Sequence, residues 1–139
     1  MKKLVDLLTY ELETAFEKAG YDKQYAKVTL SNRPDLCEYQ CNGAMAAAKA
    51  YRKAPLMIAN DVVAALEGCT CIQKVEAVNP GFINIILSPE FVASYLSQME
   101  EEEKLGVTAP ETVKTIVVDY GGANVAKALH VGHLRPAII

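Results

Sequence analysis

The sequence predicts an α+β domain, with helices packed on an antiparallel sheet, followed by the first strand and partial helix of an α/β unit. Two strand candidates, residues 72–78 and 82–87, flank Asn79-Pro80-Gly81, a turn suited to joining antiparallel strands. Beyond a boundary at about residue 110, the apolar run 115–119 is typical of a strand buried on both faces of a parallel sheet. The predicted limits are therefore 1–110 for the first domain and 111–139 for the start of the second.

Helical spacing of apolar residues predicts the helices of the first domain. The first covers residues 2–19 and stops at Gly20. A short β-like piece, residues 26–30, leads to a turn, and the alanine-rich segment from about Asn42 predicts the second helix. Pro55 ends that helix and can open a third, which is expected to continue to a C-cap at Gly68.

A fourth helix is predicted after residue 88. Ser88-Pro89-Glu90 combines an N-cap, a first-turn proline and an acidic first turn. The residues expected on its inner face are Phe91, Val92, Tyr95, Leu96 and Met99. It runs into four consecutive glutamates, which we interpret as a solvated helix end at the domain boundary.

Length and composition limit the classes of protein to consider. The chain has 139 residues, 51% of them hydrophobic and 22% charged, which fits one folded domain plus the beginning of another. With a net charge of −3, binding to a polyanion would depend on local geometry rather than on bulk attraction. Acidic residues interrupt the N-terminal segment and no apolar span reaches membrane length, so the sequence indicates a cytoplasmic protein without membrane contact.

The four cysteines occur as Cys37-x-x-x-Cys41 and Cys69-x-Cys71. Neither pair has the C-x-x-C spacing of a zinc knuckle or a redox motif. The sequence therefore favours reduced, partly buried thiols and no metal site.

The segment 124–139 carries the clearest chemical signal. The predicted strand, a glycine-containing loop and a helix start form the arrangement by which α/β folds hold phosphates. His130 and His133 can point to one side of the first helical turn, Gly132 allows close approach of a ligand, and Lys127 adds positive charge. Such donors suit the charge that develops on phosphorus during displacement of pyrophosphate. A hydrogen-bonded structural histidine, or part of a metal site completed by carboxylates or cysteines, remains open as an alternative.

Three stretches of the chain resemble arginyl-tRNA synthetases, a family of class I aminoacyl-tRNA synthetases. The stretch "ANVAKALHVGHLR" is similar to the H-x-G-H signature of the family. "CEYQCNGAMAAAKAYRKAP" and "VEAVNPGFINIILS" resemble its N-terminal additional domain, so the similarity covers nearly the whole chain.

The resemblance implies a Rossmann-type catalytic domain and a ligase that activates arginine with ATP and esterifies it to tRNA(Arg). His130 and His133 would stabilise the transferring α-phosphate, and Gly132 would lie against adenine. Lys127 would contact ATP phosphate, and Asn124 would help to bind L-arginine. Mg²⁺ is expected with ATP, without a tightly bound metal, and the parent is expected to be monomeric.

Three positions depart from the family pattern. Ala123 and Ala128 stand where proline is usual, and Pro136 stands where serine is frequent. Proline beyond the first helical turn removes an amide and crowds a carbonyl, so we expect a bent or short helix start. The histidines themselves match.

The predicted hairpin offers a second site. Phe82, Asn84 and Ile86 share one face of a strand, and an aromatic ring beside an amide can stack on an unpaired base and bond to its edge. A core phenylalanine with polar strand positions explains the same pattern. The resemblance implies that Phe82 and Asn84, helped by Asn79, contact the D-loop of the tRNA elbow.

Other polar residues are weaker candidates for RNA contact. Tyr39, Gln40 and Asn42 also match a family motif, but they are predicted at a helix start, where Asn42 could be a cap. The basic side chains available for phosphate are Lys27, Arg33, Lys49, Arg52, Lys53 and Lys74.

The favoured hypothesis is the N-terminal part of an arginyl-tRNA synthetase, inactive alone, because one strand and half a helix cannot enclose ATP, arginine and a tRNA end. One alternative is a small nucleotidyltransferase sharing H-x-G-H. It is disfavoured because more than a hundred residues precede the motif. A free-standing RNA-binding module without catalysis is the other alternative.

Overall fold

The computed structural model describes residues 2–107, 109–118, 128 and 130–138. The chain divides into two compact units, Met1–Thr108 and Ala109–Ile139. The domain limits 1–110 and 111–139 stay a sequence prediction.

The first unit contains the four predicted helices. They are α1 (Leu4–Lys18), α2 (Gly43–Tyr51), α3 (Pro55–Ala65) and α4 (Pro89–Glu101), and a 3₁₀ turn lies at Lys23–Tyr25. The expected C-cap of α3 is wrong, because Leu66 caps the helix and Gly68 lies beyond it at a φ of +85°. None of the described helices is long and apolar enough to cross a membrane.

The sheet has four described strands, all antiparallel, in the order β1-β2-β4-β3. They are β1 (Val28–Leu30), β2 (Tyr39–Cys41), β3 (Ile72–Val78) and β4 (Phe82–Leu87). The predicted hairpin of β3 and β4 is confirmed, with Val78 opposite Phe82 at its closed end. Strand β2 was predicted as the approach to a helix, and instead it lies between β1 and β4.

The core lies between one face of the sheet and the helices. Leu8, Leu12 and Phe16 of α1 are fully buried, as are Ile58 and Val62 of α3. They join the inward side chains of the strands, among them Val28, Cys41, Ile83 and Ile85. Each large apolar side chain buried in this way contributes about 1.5–3 kcal/mol.

Helix α4 packs less deeply than the sequence predicts. Phe91 and Val92 lie against the core, but none of the helix's residues is fully buried. Leu96, expected on the inner face, is 53% exposed. The predicted cap is confirmed, because the Ser88 hydroxyl accepts a hydrogen bond from the backbone N–H of Phe91 at 3.3 Å.

Gly43 fixes the approach of α2 to the 3₁₀ turn. It is buried at the first position of the helix, and a Cβ there would collide with the backbone carbonyl of Tyr25. Because glycine has no Cβ, Gly43 allows the start of α2 to lie against Tyr25 directly after β2.

In the second unit the structure describes one helix, α5 (Val131–Ile138). It runs through Pro136 rather than ending there. The prediction of a strand at residues 115–119 is wrong for residues 115–118, which have irregular structure. Asp119 lies outside the described residues. A strand needs a hydrogen-bonded neighbour, and the described residues of this unit include no second strand to pair with it.

Candidate functional site

The sheet face opposite the core places polar and aromatic side chains in one row. Gln40 of β2 pairs in register with Asn84 of β4, and Asn84 pairs with Glu76 of β3. Phe82 and Ile86 share the face with Asn84 and are each partly exposed. We call the surface formed by Gln40, Glu76, Phe82, Asn84 and Ile86 the outer face.

The predicted RNA-contact residues come together on or beside this face. Phe82 begins β4 and is partly exposed, whereas Asn84 is only 5% exposed. Asn79 is exposed in the turn before Phe82, and its peptide bond to Pro80 is cis. The structure thus offers one accessible ring and one exposed amide, with a second amide largely covered.

A cross-strand hydrogen bond offsets the cost of burying the Asn84 amide. Gln40 Nε2 donates to Asn84 Oδ1 at 2.9 Å, joining β2 to β4. This bond also fixes the orientation of both amides, because each amide carries its donor and its acceptor on opposite arms. A base that bonded to Oδ1 of Asn84 would share this oxygen with Gln40, since an amide oxygen has two lone pairs.

Gln40 is the residue of this face that sequence reasoning placed wrongly. The segment around it alternates, since Cys37, Tyr39 and Cys41 are buried and Gln40 points the other way. Alternation of buried and exposed residues with a period of two indicates a strand. The alanine-rich sequence directly after it favours a helix, and this local signal led to the wrong prediction of a helix start. Asn42 stands at the N-cap position of α2, yet its side chain makes no capping hydrogen bond.

Three of the six basic candidates are engaged by carboxylates. Lys74 Nζ lies 2.7 Å from Glu76, Arg33 lies 2.7 Å from Asp35, and Lys53 Nζ lies 3.8 Å from Asp61. The guanidinium also lowers the pKa of Asp35 through its hydrogen bond. Lys27, Lys49 and Arg52 are exposed and form no ion pair within the part of the chain that the structure describes, so they are the cations most available to phosphate.

The two histidines lie together at the start of α5. Their ring centroids are 4.2 Å apart, and both rings accept backbone hydrogen bonds at Nδ1. His130 Nδ1 accepts from the N–H of Gly132 at 3.1 Å, and His133 Nδ1 accepts from the N–H of His130 at 3.2 Å. A neutral imidazole that accepts at Nδ1 carries its proton on Nε2, so both rings can donate Nε2–H to an oxygen ligand.

The remaining residues of the predicted nucleotide site, Asn124 and Lys127, lie outside the described residues. Gly132 is exposed between the two rings, and a Cβ there would come within 2.9 Å of His130 Cε1. Among the described residues no group of three or more histidine, cysteine or acidic side chains could hold a metal ion.

Comparison with protein families matches both parts of the chain. The model for the arginyl tRNA synthetase N terminal domain matches residues 2–87, which include the whole sheet and its outer face. The chain belongs to the arginyl-tRNA synthetase family. The model for the catalytic domain of class I (R) tRNA synthetases matches residues 94–139, which include the two histidines.

Curated relatives agree with this assignment to the arginyl-tRNA synthetase family. An arginine–tRNA ligase of Agathobacter rectalis is 56% identical over 100% of this chain and 24% of its own length. One from Alkaliphilus oremlandii is 52% identical, also over 100% of this chain and 24% of its own length. The chain therefore spans about a quarter of the length of these relatives.

Solved structures of arginyl-tRNA synthetases share the fold. The enzyme of Plasmodium falciparum gives a TM-score of 0.66 at 23% identity over 98% of this chain and 26% of its own. That of Thermus thermophilus gives 0.58 at 24% identity over 96% of this chain and 21% of its own. These likenesses support the α+β architecture of the family.

Proposed function

We propose that this chain supplies the tRNA-elbow-binding domain and the first ATP-binding motif of an arginine–tRNA ligase. The parent enzyme activates L-arginine with ATP to arginyl-adenylate and pyrophosphate, and then esterifies the amino acid to tRNA(Arg). The observation that carries the proposal is the placement of Phe82, Asn84 and Gln40 on one sheet face within the region matched by the arginyl-tRNA synthetase N-terminal model.

According to this proposal, the outer face recognises an unpaired base of the D-loop. The ring of Phe82 stacks on the base, and the amide of Asn84, held by Gln40, offers its remaining hydrogen-bonding groups to the base edge. Asn79 contacts the same nucleotide from the turn. Because Gln40 holds the Asn84 amide before RNA arrives, little side-chain entropy is lost on binding.

The start of α5 forms part of the nucleotide site. The Nε2–H groups of His130 and His133 donate to the α-phosphate of ATP as negative charge develops on it, which is electrostatic stabilisation of a transition state. Gly132 leaves room for adenine to lie against the backbone. Lys127 contacts the phosphates and Asn124 the arginine substrate.

The proposal extends to the metal requirement, the location and the oligomeric state of the parent. Mg²⁺ accompanies ATP, held chiefly by the phosphates, as is usual for this ion. The enzyme is cytoplasmic and monomeric, without a membrane partner. The 139-residue chain alone is expected to show no arginine-dependent exchange of pyrophosphate with ATP.

The elbow assignment is tested by steady-state charging kinetics of the parent ligase carrying Phe82→Ala. Loss of one base–aromatic stack, worth about 1–3 kcal/mol, should raise the KM for tRNA(Arg) about tenfold, with kcat unchanged at saturating tRNA. Tyr10→Ala is the matched control, since it removes an aromatic ring that is 66% exposed on α1. An equal loss of kcat for Phe82→Ala, or an equal rise in KM for Tyr10→Ala, would argue against the elbow site.

A further inference from the structure

Two cysteine side chains meet in the turn between α3 and β3. The Sγ atoms of Cys69 and Cys71 lie 2.9 Å apart, and one residue separates them in the chain. Cys69 is partly exposed, whereas Cys71 is 8% exposed. The two sulfur atoms are thus in contact, and they belong to one partly exposed residue and one buried residue.

A surface cavity borders the partly exposed Cys69. Cys69 lines a surface cavity of about 170 Å³ between α1 and the end of α3. The polar residues around the cavity are Glu11, Thr14, Lys18 and Glu67. Glu11 also accepts a weak hydrogen bond from Cys69 Sγ at 3.8 Å.

The surroundings of the pair argue against a metal ion as its ligand. No group of three or more potential ligands occurs among the described residues, so the two thiols lack a complete coordination set. Burial, the hydrogen bond to Cys69 and the charge of Glu11 raise the pKa of Cys71 to about 12. A metal ion would need both sulfurs as thiolates at the same time, whereas disulfide exchange uses one attacking thiolate at a time, so the raised pKa of Cys71 opposes metal binding more strongly than exchange.

We propose that Cys69 and Cys71 form a dithiol site that closes to an intramolecular disulfide by exchange with a low-molecular-weight disulfide. The Cys69 thiolate attacks one sulfur of the small disulfide, forming a mixed disulfide and releasing one small thiol. Cys71 then attacks Cys69 Sγ, loses its proton and releases the second small thiol. The two cysteines are oxidised by two electrons, and the small disulfide is reduced to two thiols.

The other two cysteines provide an internal reference. Cys37 Sγ donates to the Ser31 hydroxyl at 3.3 Å and Cys41 Sγ contacts the Tyr25 carbonyl at 3.8 Å, so each has a partner other than sulfur. Both are buried, at 3% and 0% exposure. They should stay reduced under conditions that oxidise Cys69 and Cys71.

The test is to equilibrate the folded 139-residue chain with oxidised and reduced glutathione, quench with acid, alkylate the free thiols and map the peptides by mass. The expected product has lost two hydrogens from the peptide containing Cys69 and Cys71, with Cys37 and Cys41 alkylated. A glutathione adduct that persists on Cys69, or full alkylation of both thiols, would overturn the proposal.

Single substitutions separate the roles of the two sulfurs. Cys71→Ser removes the resolving thiol, so the mixed disulfide should accumulate on Cys69. Cys69→Ser removes the attacking thiol, and Cys71 should then remain reduced. A two-hydrogen loss in either variant would show that the disulfide forms with another cysteine and would contradict the assignment.

Discussion

Individual side chains connect segments of this domain that are far apart in sequence. The Tyr21 hydroxyl donates to Asp61 Oδ2 at 2.5 Å and accepts from Lys53 Nζ at 3.0 Å, so the loop after α1 is tied to α3. The Tyr21 ring also makes an edge contact with Tyr51, at 5.0 Å between centroids. Burial and the hydrogen bond to Asp61 raise the pKa of Tyr21 above its usual 10.0.

This hydroxyl gives a prediction about alkaline stability. Because the pKa of Tyr21 is higher in the folded chain, the contribution of the hydroxyl is fully present below pH 10 and is lost as pH rises through the folded value. Tyr21→Phe should lower the free energy of unfolding by about 1 kcal/mol at neutral pH, the usual net value of a hydrogen bond. Above about pH 10 the difference between wild type and variant should shrink.

Urea unfolding of both proteins from about pH 8 to about pH 11 checks this expectation. The difference between the two proteins is the relevant quantity, since groups remote from Tyr21 titrate equally in both. The pKa of Lys53 is raised by its hydrogen bond to Tyr21, so its contribution is also lost at high pH and changes the difference in the same direction. A difference that stays constant across the range would mean that the hydroxyl is not held as the structure shows.

At the scale of secondary structure, hydrogen bonds between residues close in sequence determine where α4 begins. Ser88 stands at its N-cap, and the Ser88 hydroxyl donates to Glu90 Oε2 at 2.7 Å while accepting from the N–H of Phe91. The hydrogen bond from Ser88 lowers the pKa of Glu90. The backbone N–H of Ser88 donates to the Cys71 carbonyl, which fixes the helix start to the beginning of β3.

Ser88→Ala should therefore have two measurable effects. Loss of the cap should reduce the free energy of unfolding by about 1 kcal/mol. The pKa of Glu90 should rise toward its ordinary value, as followed by a carboxyl-carbon NMR titration. Ser97→Ala, which replaces an exposed serine within the same helix, is the control. It should leave the pKa of Glu90 unchanged and should not lower the free energy of unfolding, since alanine favours a helix interior.

The sequence reveals local features of this fold more readily than contacts between distant segments. The helices and the β3–β4 hairpin were predicted because their signals are local, namely apolar periodicity, a proline or serine at a helix start and a turn tripeptide. Strand β2 was missed because it has three residues and adjoins an alanine-rich helix. The hydrogen bond between Gln40 and Asn84 joins residues 44 apart, and no local pattern encodes it.

The second unit shows a different limit. A continuous apolar run predicts a strand only where neighbouring strands are available to pair with it, and residues 115–118 have none among the described residues. The histidine motif depends less on distant structure. His130 and His133 are brought together by one helical turn, and the sequence spacing alone was sufficient to predict their proximity.

For the whole molecule, the family assignment and the outer face support one proposed role, which is recognition of the tRNA elbow. The chain has a net charge of −3, so affinity cannot come from bulk electrostatic attraction. Recognition has to rest on the Phe82 ring, the amides beside it and cations such as Lys27, Lys49 and Arg52, which form no ion pair among the described residues. The 139-residue chain is accordingly expected to bind tRNA weakly and with a small salt dependence.

The most direct test is an NMR titration of the isotope-labelled chain with a tRNA(Arg) transcript, using an acceptor-stem minihelix without a D-arm as the control. We expect the amide signals of Gln40, Phe82 and Asn84 to shift with the full transcript and to stay unchanged with the minihelix. Equal shifts with both RNAs, or shifts confined to α1 and α3, would contradict recognition of the tRNA elbow by the outer face.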